Sequence, residues 1–525
     1  KSAIEGQAKL TEELSAAIDA AATLAEVEDL YRPYKQKRRT RATVAREKGL
    51  EPLAELLFAQ AADGPAPEEA AGAFIDPEKG VETAEDALQG ASDIIAERIS
   101  DDADIRKRLR ELVWKKGSLV SAAAAKEPED TVYRLYYAFR SPLNRVQGHQ
   151  VLAINRGERE GVLKVSVEME REAALIPVRR AVLNPGAPAM AFVRAAAEDA
   201  YDRLIFPSVE REMRSLLTEQ ADEGAIRTFA LNLKPLLMQP PVKGRVTMGL
   251  DPGYRMGCKV AVVDGTGKVL DTAVVYPTHG PRQREEAITR LSQLVRKHEV
   301  EHIAIGNGTA SRETEQAAVE LIRRLGGGLS YMIVSEAGAS VYSASKLAAE
   351  EFPEYDVNLR SAVSIARRLQ DPLAELVKID PKAIGVGQYQ HDMPQARLGE
   401  ALDGVVEDCV NAVGVDANTA SPSLLQRVSG LTAATARNLV RYREEHGAFT
   451  TRKQLLKVPK LGPKAYEQCA GFLRVPESPS ILDHTGVHPE SYGAAEKLLA
   501  ACGYTQTDVE TGGLEELKTR AEAIG

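Results

Sequence analysis

Asp251 is the acid in this sequence whose position best fits metal-dependent cleavage of a phosphodiester. It ends a short apolar strand predicted over 247–251, so its carboxylate would emerge at an edge of a sheet. Such cleavage needs three or four acids that converge on two metal ions roughly 4 Å apart. A second acid would be expected at the end of another predicted strand, but that strand ends in Gly-Asn-Gly at 306–308. The remaining acids would be expected on a predicted helix, but that helix carries the neutral residues Asn358 and Ser361. These neutral residues predict a site without catalytic activity.

Two other acids could substitute for the missing ones. Glu336 follows a different predicted strand, and Asp371 lies about three helical turns beyond Asn358 at ~1.5 Å of rise per residue. We predict no catalytic residues and a vestigial pocket, whose candidates are Asp251, Asn307, Glu336 and Asp371. A metal-dependent, structure-specific nuclease is the alternative interpretation.

A second chemistry is indicated by a near-repeat in 422–475, where two stretches each read helix, tight turn, helix. The turns are Ser-Gly-Leu-Thr at 429–432 and Pro-Lys-Leu-Gly at 459–462, and they are similar to helix-hairpin-helix turns, which direct backbone N–H groups at a phosphate. Each departs from the proline-glycine-aliphatic-glycine pattern, because Thr432 and Lys460 stand at glycine positions. The candidate nucleic-acid-binding residues are Gly430, Thr432, Arg437, Arg441, Lys457, Lys460, Gly462 and Lys464. The alternative is a bundle whose hairpins pack for stability or bind a protein.

Charge is distributed unevenly along the chain. The net charge of -9 does not favour nucleic acid, because phosphate neutralisation needs Lys and Arg. Residues 422–475, however, carry ten Lys or Arg against three acids, and residues 31–48 carry eight against one. The first of these segments supports the hairpin prediction. The second, 31–48, is equally compatible with phosphate binding and with packing against another lobe.

Several other functions find no support in the sequence. The Gly-Thr-Gly-Lys run at 265–268 lacks the spacing of a phosphate loop and lies between two predicted strands. The eight histidines form no HxxH or HExxH pattern, and the four cysteines form no CxxC pair, so we predict no metal, no cofactor and a reducing cytoplasm. No apolar run approaches the roughly 20 residues that span a bilayer. The chain begins without Met inside a helical pattern, and we expect it to be a fragment of a longer protein.

The fold class predicted is multidomain and mostly α, with one α/β domain. From 247 onward, three hairpin-connected strands precede alternating helices and strands, an order that indicates a mixed, ribonuclease-H-like sheet. A second β-hairpin is predicted near 151–170, around a charged turn that contains glycine. The predicted segments are a helical lobe at 1–125, a helical region with that short β-hairpin at 126–243, the ribonuclease-H-like domain at 244–372, a helical connector at 373–421, the tandem helix-hairpin-helix at 422–475 and a helical tail at 476–525.

Long motifs carry a resemblance to a known family. They are LxxVEDLYRPYKQKRRTRATxAREKGLEPLA (24–54), GLDPGYRMGCKVAVVD (249–264), SEAGASVYSAS (335–345), SAVSIARRLQDPLAELVKIDPKAIGVGQYQHD (361–392) and VNAVGVDANTAS (410–421). Through these motifs the chain resembles the bacterial Tex family of transcription accessory proteins, from near its first residue to about 495.

The resemblance implies a helical N-terminal region, a YqgF domain related to the Holliday-junction resolvase RuvC, and a tandem helix-hairpin-helix domain. It also implies a C-terminal OB-fold RNA-binding domain, and we expect this chain to stop before that domain. A further similarity of the family to the eukaryotic elongation factor Spt-six implies a role around RNA polymerase, nascent RNA or DNA repair.

We therefore predict a cytoplasmic scaffold that binds RNA or DNA without reading base sequence and that contacts RNA polymerase or another part of the transcription machinery. No membrane partner is predicted. The alternatives are the nuclease named above and a scaffold that binds only proteins of the transcription machinery.

Overall fold

The computed structural model describes residues 1–35, 39–126, 128–385, 387–514 and 516–524. The chain divides into two compact units, Lys1–Gly224 and Ala225–Gly525. The basic segment 31–48 is described only in part, because Lys37 and Arg38 lie outside the described residues. Among the residues that are described, no helix is both long and apolar enough to cross a membrane.

The first unit is mainly helical. Threonine or aspartate side chains cap the first turns of five helices, those that begin at Glu12, Leu24, Arg41, Ala84 and Ala103. The helix Ala84–Ser100 is central and packs against four others: Arg41–Glu47, Glu51–Ala59, Pro67–Gly72 and Met190–Asp199. The helices are α1 (Ser2–Glu5), α2 (Glu12–Ala20), α3 (Leu24–Tyr31), α4 (Arg41–Glu47), α5 (Glu51–Ala59), α6 (Pro67–Gly72), α7 (Ala84–Ser100), α8 (Ala103–Lys116), α9 (Gly148–Arg159), α10 (Arg171–Val182), α11 (Met190–Asp199) and α12 (Phe206–Leu237), and the division between the units falls within α12.

A buried ion cluster links α3, α8 and α12. The guanidinium of Arg106 is fully buried, and its Nε and Nη2 donate to Asp29 (2.8 Å) and to Glu212 (2.7 Å). Arg110 also donates to both acids, at 2.9 Å to Glu212. Each buried charge contacts an opposite charge, so the cluster is compatible with a folded core. Removal of one partner should lower the free energy of unfolding, because the other charge would stay buried and unpaired.

The hairpin predicted near 151–170 is wrong in its first half. The segment VLAIN belongs to α9, and only the second run, β3 (Leu163–Glu168), is a strand. That strand pairs antiparallel with β1 (Ser118–Ala123), which also pairs with β2 (Ala138–Pro142). In this helix Val151, Leu152 and Ile154 are buried, and Asn155 and Glu158, three residues apart on one helical face, both accept from Arg214.

The second unit contains the predicted mixed sheet. Within the described ranges its strands are β4 (Thr247–Asp251), β5 (Cys258–Val263), β6 (Val269–Val275), β7 (His302–Gly306) and β8 (Ser330–Val334), in the order β6-β5-β4-β7-β8. Strands β4, β5 and β6 are antiparallel neighbours, whereas β7 pairs parallel with both β4 and β8. The order predicted from the sequence, hairpin strands first and crossover units later, is confirmed.

Helices cover both faces of this sheet. One face packs against α13 (Pro281–His298) and α14 (Ser311–Leu325), and the other packs against α17 (Val357–Gln370). Helix α17 approaches β4 so closely that a Cβ at Gly249 would lie 2.2 Å from the carbonyl oxygen of Ala362. Glycine at 249 is therefore required for the helix that brings Ser361 toward the end of β4. The remaining helices before 400 are α15 (Ala339–Ser343), α16 (Lys346–Glu351), α18 (Pro372–Leu376) and α19 (Gln395–Val413).

In the described residues of the rest of the unit, helices joined by turns are accompanied by one short parallel pair, β9 (Val415–Asp416) and β10 (Leu473–Arg474). Its core includes Leu425, Leu439, Leu455 and Leu473. The helices are α20 (Pro422–Leu425), α21 (Ala433–His446), α22 (Pro463–Cys469), α23 (Tyr492–Ala501), α24 (Gln506–Thr511) and α25 (Leu517–Ile524). Two hairpins with connecting turns at 429–432 and 459–462 result, at the places that the sequence predicts.

Candidate nucleic-acid interface and carboxylate pocket

The two hairpin turns share one backbone pattern. The N–H of Leu431 donates to the carbonyl of Val428 (3.0 Å), and the N–H of Leu461 donates to the carbonyl of Val458 (3.1 Å). Both leucines are buried, so the turns are anchored in the core. Gly430 and Lys460 occupy equivalent positions, and the sequence alignment of the two turns therefore holds in the structure.

The first turn is capped by its own side chains. The Thr432 hydroxyl accepts from the N–H of Thr435 (3.3 Å), and the Thr435 hydroxyl accepts from the N–H of Thr432 (2.7 Å). This reciprocal cap uses two of the amide groups that begin α21. A Cβ at Gly430 would lie 2.6 Å from the Cβ of Gln468, so this turn packs directly against α22.

The second turn has a different arrangement. Gly462 precedes α22 and has no side chain to cap it, while Pro463 occupies the first helical position. The carbonyl of Pro459 accepts a hydrogen bond from the Asn438 amide (2.8 Å). Sequence reasoning missed Asn438, since a single polar residue on a helix gives no signal of the turn that it contacts.

Five predicted basic residues lie exposed on these hairpins. They are Arg437, Arg441, Lys457, Lys460 and Lys464. Within the described part of the chain none of them forms an ion pair, although the Arg437 guanidinium reaches back to the carbonyl of Ala433 (3.2 Å). Their charges are not neutralised by neighbouring acids and are free to interact with an anionic polymer.

Arg452 connects the second hairpin to the segment that follows it. This side chain is 1% exposed, and it donates to the carbonyls of Leu473, Val487, Asp483 and Thr485 and to the Tyr492 hydroxyl, at 2.6 to 3.2 Å. Burial disfavours the charged Asp483 carboxylate, but hydrogen bonds from the Arg452 N–H, Tyr492 and Ser478 hold the pKa of Asp483 below its usual value.

A separate pocket contains the carboxylate of Asp251. Burial raises the pKa of Asp251, while a hydrogen bond from Ser361 and the charge of Lys259 act in the opposite direction. Lys259 lies directly across the antiparallel pair from Asp251, and its ammonium donates to the carbonyls of Met256 (2.6 Å) and Gly257 (3.1 Å). The hydroxyl of Ser361, a neutral group, thus donates to the Asp251 carboxylate.

Glu336 is the second acid of this pocket. The Asn307 side-chain oxygen accepts from the N–H of Glu336 (3.0 Å), and a Cβ at Gly308 would lie 1.6 Å from Oε1 of Glu336. Among the described residues, Oε2 of Glu336 is buried without a hydrogen-bond partner. Burial raises the pKa of Glu336, and the nearby charge of Asp251 raises it further. The glycine-lined loop at 306–308 therefore encloses a carboxylate that comes from another strand.

Asp371 lies elsewhere. It follows the last residue of α17, about 15 Å along the helix axis from Ser361 at ~1.5 Å per residue. There it accepts from the N–H of Ala374 (3.1 Å) and pairs with Lys243 (3.0 Å). The structure thus brings Asp251, Asn307 and Glu336 together and separates Asp371 from them.

Arg368 is a component of this pocket that sequence reasoning missed. It is 2% exposed, and its Nη1 donates to the carbonyls of Ser335 (2.8 Å) and Ala337 (2.7 Å), on either side of Glu336. Among the described residues, no cluster of three or more His, Cys, Asp or Glu side chains could hold a metal ion. The pocket therefore contains two carboxylates whose charges act on one another, glycines beside Glu336, and a buried arginine that binds the backbone on either side of Glu336.

Family models match most of the chain. Residues 63–229 match "Tex central region-like", 245–370 match "Tex protein YqgF-like domain" and 410–474 match "Helix-hairpin-helix motif". Residues 480–523 match "HHH domain". Sequence reasoning missed this last match and predicted only a helical tail there, because the segment lacks the basic turns that identify the other hairpins.

Curated relatives are similar over nearly the whole chain. Transcriptional accessory protein Tex of Neisseria gonorrhoeae is 48% identical over 98% of this chain and 68% of its own length. Protein tex of Bordetella pertussis is 49% identical over 95% of this chain and 65% of its own length. S1 RNA-binding domain-containing protein 1 of Homo sapiens is 37% identical over 96% of this chain and 57% of its own length.

Proposed function

The chain belongs to the Tex family of transcriptional accessory proteins, and we propose that it binds RNA or DNA through its hairpin domain without reading base sequence. The observation that carries the proposal is the group of exposed basic residues at the second turn, Lys457, Lys460 and Lys464, which form no ion pair within the described chain. Contacts of lysine with phosphates give affinity but no direct sequence information.

The charge balance of the hairpin domain supports this function. With ten Lys or Arg against three acids, residues 422–475 have a net charge of +7 in a chain of net charge -9. Condensed counterions are released when lysines neutralise phosphates, so binding should weaken steeply as salt is added. Such binding makes no distinction between RNA and DNA at the phosphate itself, and both are proposed ligands.

The YqgF domain is proposed to act in this scaffold without nuclease activity. Asp251 and Glu336 are the acids that the pocket brings together, and two-metal cleavage needs additional ones. Asn307 and Ser361 occupy the neighbouring positions and supply neutral groups. Burial raises the pKa of each carboxyl, which disfavours the charged forms that would bind a cation.

The proposed setting is the transcription machinery in the cytoplasm, with RNA polymerase as a proposed partner. The printed name of the N. gonorrhoeae relative, a transcriptional accessory protein, supports this setting. Protein binding is a second candidate function for the last segment, because residues 476–525 carry nine acids against three Lys or Arg. Such a charge balance repels phosphate, and it favours a role other than nucleic-acid binding for this part.

Fluorescence anisotropy with a labelled single strand and a labelled duplex tests the hairpin proposal. A variant with Lys457, Lys460 and Lys464 replaced by alanine should bind roughly tenfold more weakly or worse, since three lysines that contact phosphate are removed. The matched control replaces three other exposed lysines of the same unit with alanine: Lys346, Lys497 and Lys518. Equal affinities of the two triple variants would overturn the assignment of binding to the second turn.

The same samples test the proposed lack of nuclease activity. Incubation of single strands, duplexes and four-way junctions with magnesium or manganese should leave the substrates intact. Cleavage by the wild type that disappears in Asp251→Asn would establish a nuclease and refute this part of the proposal. A contaminating nuclease would be recognised because its activity would persist in that variant.

A further inference from the structure

The two hairpin turns differ at one conformationally demanding position. Gly430 has φ +81° and Lys460, its equivalent, has φ +67°. Each is the third residue of a hydrogen-bonded turn, Val428–Leu431 or Val458–Leu461, and a positive φ there favours glycine because a Cβ crowds the backbone. The second turn therefore holds a lysine in a conformation that its own Cβ disfavours, and the surrounding structure must maintain it.

Asn438 is the side chain that fixes this second turn. It lies on α21, in the first hairpin, and its amide donates to the carbonyl of Pro459 (2.8 Å), directly before Lys460. Beyond Lys460, the buried Leu461 anchors the turn in the core. The strained residue is thus held on both sides, by a hydrogen bond before it and by packing after it.

The first turn is supported differently and is less open. Asn411, on α19, accepts from the N–H of Ser429 (3.1 Å), and the glycine at 430 carries no strain to be held. Thr432 and Thr435 cap one another, so two amides at the start of α21 already have partners. A phosphate at this turn would have to replace those internal hydrogen bonds.

We infer that the two hairpins divide the work: the second turn contacts the nucleic-acid backbone, and Asn438 is a positioning residue through which the first hairpin holds that turn in its binding conformation. This inference rests on the proposed function. It predicts that Asn438 influences affinity through the conformation at Lys460, although the side chain carries no charge.

A double-mutant cycle tests the inference. Asn438→Ala should weaken binding roughly five- to tenfold, because the hydrogen bond that offsets the strain of the left-handed backbone at Lys460 is lost. Lys460→Gly removes the strain together with one charge, and in that background Asn438→Ala should cost less than about twofold. Equal costs in the two backgrounds, or no cost in either, would overturn the positioning role.

Two further measurements separate this inference from the proposed function. Asn411→Ala, the control at the first turn, should change affinity by less than about twofold, and a loss as large as that of Asn438→Ala would contradict the division of work. Melting temperatures of the same cycle should show the same coupling without any ligand. If the wild type binds no nucleic acid, the proposed function and the role of Asn438 in binding both fail, and uncoupled melting temperatures would show that Asn438 does not hold the turn either.

Discussion

Replacement of Arg452 with alanine should strongly destabilise the second unit. The buried guanidinium donates to four backbone carbonyls and to the Tyr492 hydroxyl, and these acceptors lie on three separate stretches of chain. Alanine would leave the carbonyls of Leu473, Thr485 and Val487 without a donor, whereas that of Asp483 still accepts from the N–H of Val475 (3.0 Å). Each unsatisfied buried polar group costs about 1–3 kcal/mol, so three carbonyls that lose their donor should cost at least about 3 kcal/mol.

Differential scanning calorimetry measures the effect. For a unit of this size, a loss of about 4 kcal/mol corresponds to a fall in melting temperature on the order of 10 °C. Lys453→Ala is the matched control, because this neighbouring lysine is exposed and forms no ion pair within the described residues. Arg452→Lys should be almost as harmful as alanine, since an ammonium cannot reach acceptors arranged around a planar fork.

A change in melting temperature no larger for Arg452→Ala than for Lys453→Ala would refute this reasoning. Hydrogen exchange gives an independent view, because amides near 473–487 should lose protection in Arg452→Ala and keep it in the control. Retained protection together with a lower melting temperature would show that Arg452 stabilises the unit through something other than these hydrogen bonds.

Three further predictions concern buried charges. Glu336→Gln should raise the melting temperature at pH 7.5, because the pKa of Glu336 is raised in the fold and its ionisation above that pKa lowers the stability of the wild type. The difference in melting temperature between variant and wild type should shrink near pH 4.5, where the wild-type carboxyl is protonated. A lower melting temperature of the variant at pH 7.5 would contradict this prediction. Gly308→Ala should destabilise by about 1 kcal/mol, because the Glu336 carboxylate must move away from the new Cβ and lose its hydrogen bond from the backbone of residue 308, and adding Glu336→Ala should restore stability; failure of that rescue in thermal melts would count against the enclosed carboxylate. Arg106→Met should cost the first unit about 3–5 kcal/mol in urea unfolding, because Asp29 loses its best-buried partner, whereas an unchanged midpoint would show that Arg110 compensates.

Much of the second unit could be predicted from sequence because its signals are local. The strand run from 247 to 275 alternates with glycine-containing turns, and the hairpins at 422–475 repeat a helix-turn-helix pattern with basic residues at fixed offsets. The strand predicted for the run VLAIN near 151 is wrong because a short apolar segment fits a strand or a helix equally well. In the structure it is helical, and its Asn155 and the following Glu158 accept hydrogen bonds from Arg214 of α12, about sixty residues away.

The candidate sites, too, depend on contacts between segments that are distant in sequence. Asp251 and Glu336 could be named from their places after strands, but their proximity depends on how the strands are ordered in the sheet. Asp371 could not be separated from them in advance, since its position depends on where α17 ends. The hydrogen bonds of Asn438, Arg368 and Arg452 join segments that are distant in sequence, so single-residue patterns could not reveal them.

The salt dependence of binding tests the central claim most directly. The logarithm of the association constant of the wild type for a random-sequence duplex, plotted against the logarithm of the salt concentration, should fall on a straight line of clearly negative slope. With Lys457, Lys460 and Lys464 replaced by alanine, the slope should become shallower by roughly one unit for each phosphate that the variant no longer neutralises. An unchanged slope, with wild-type affinity, would show that the hairpin turns do not bind the nucleic-acid backbone.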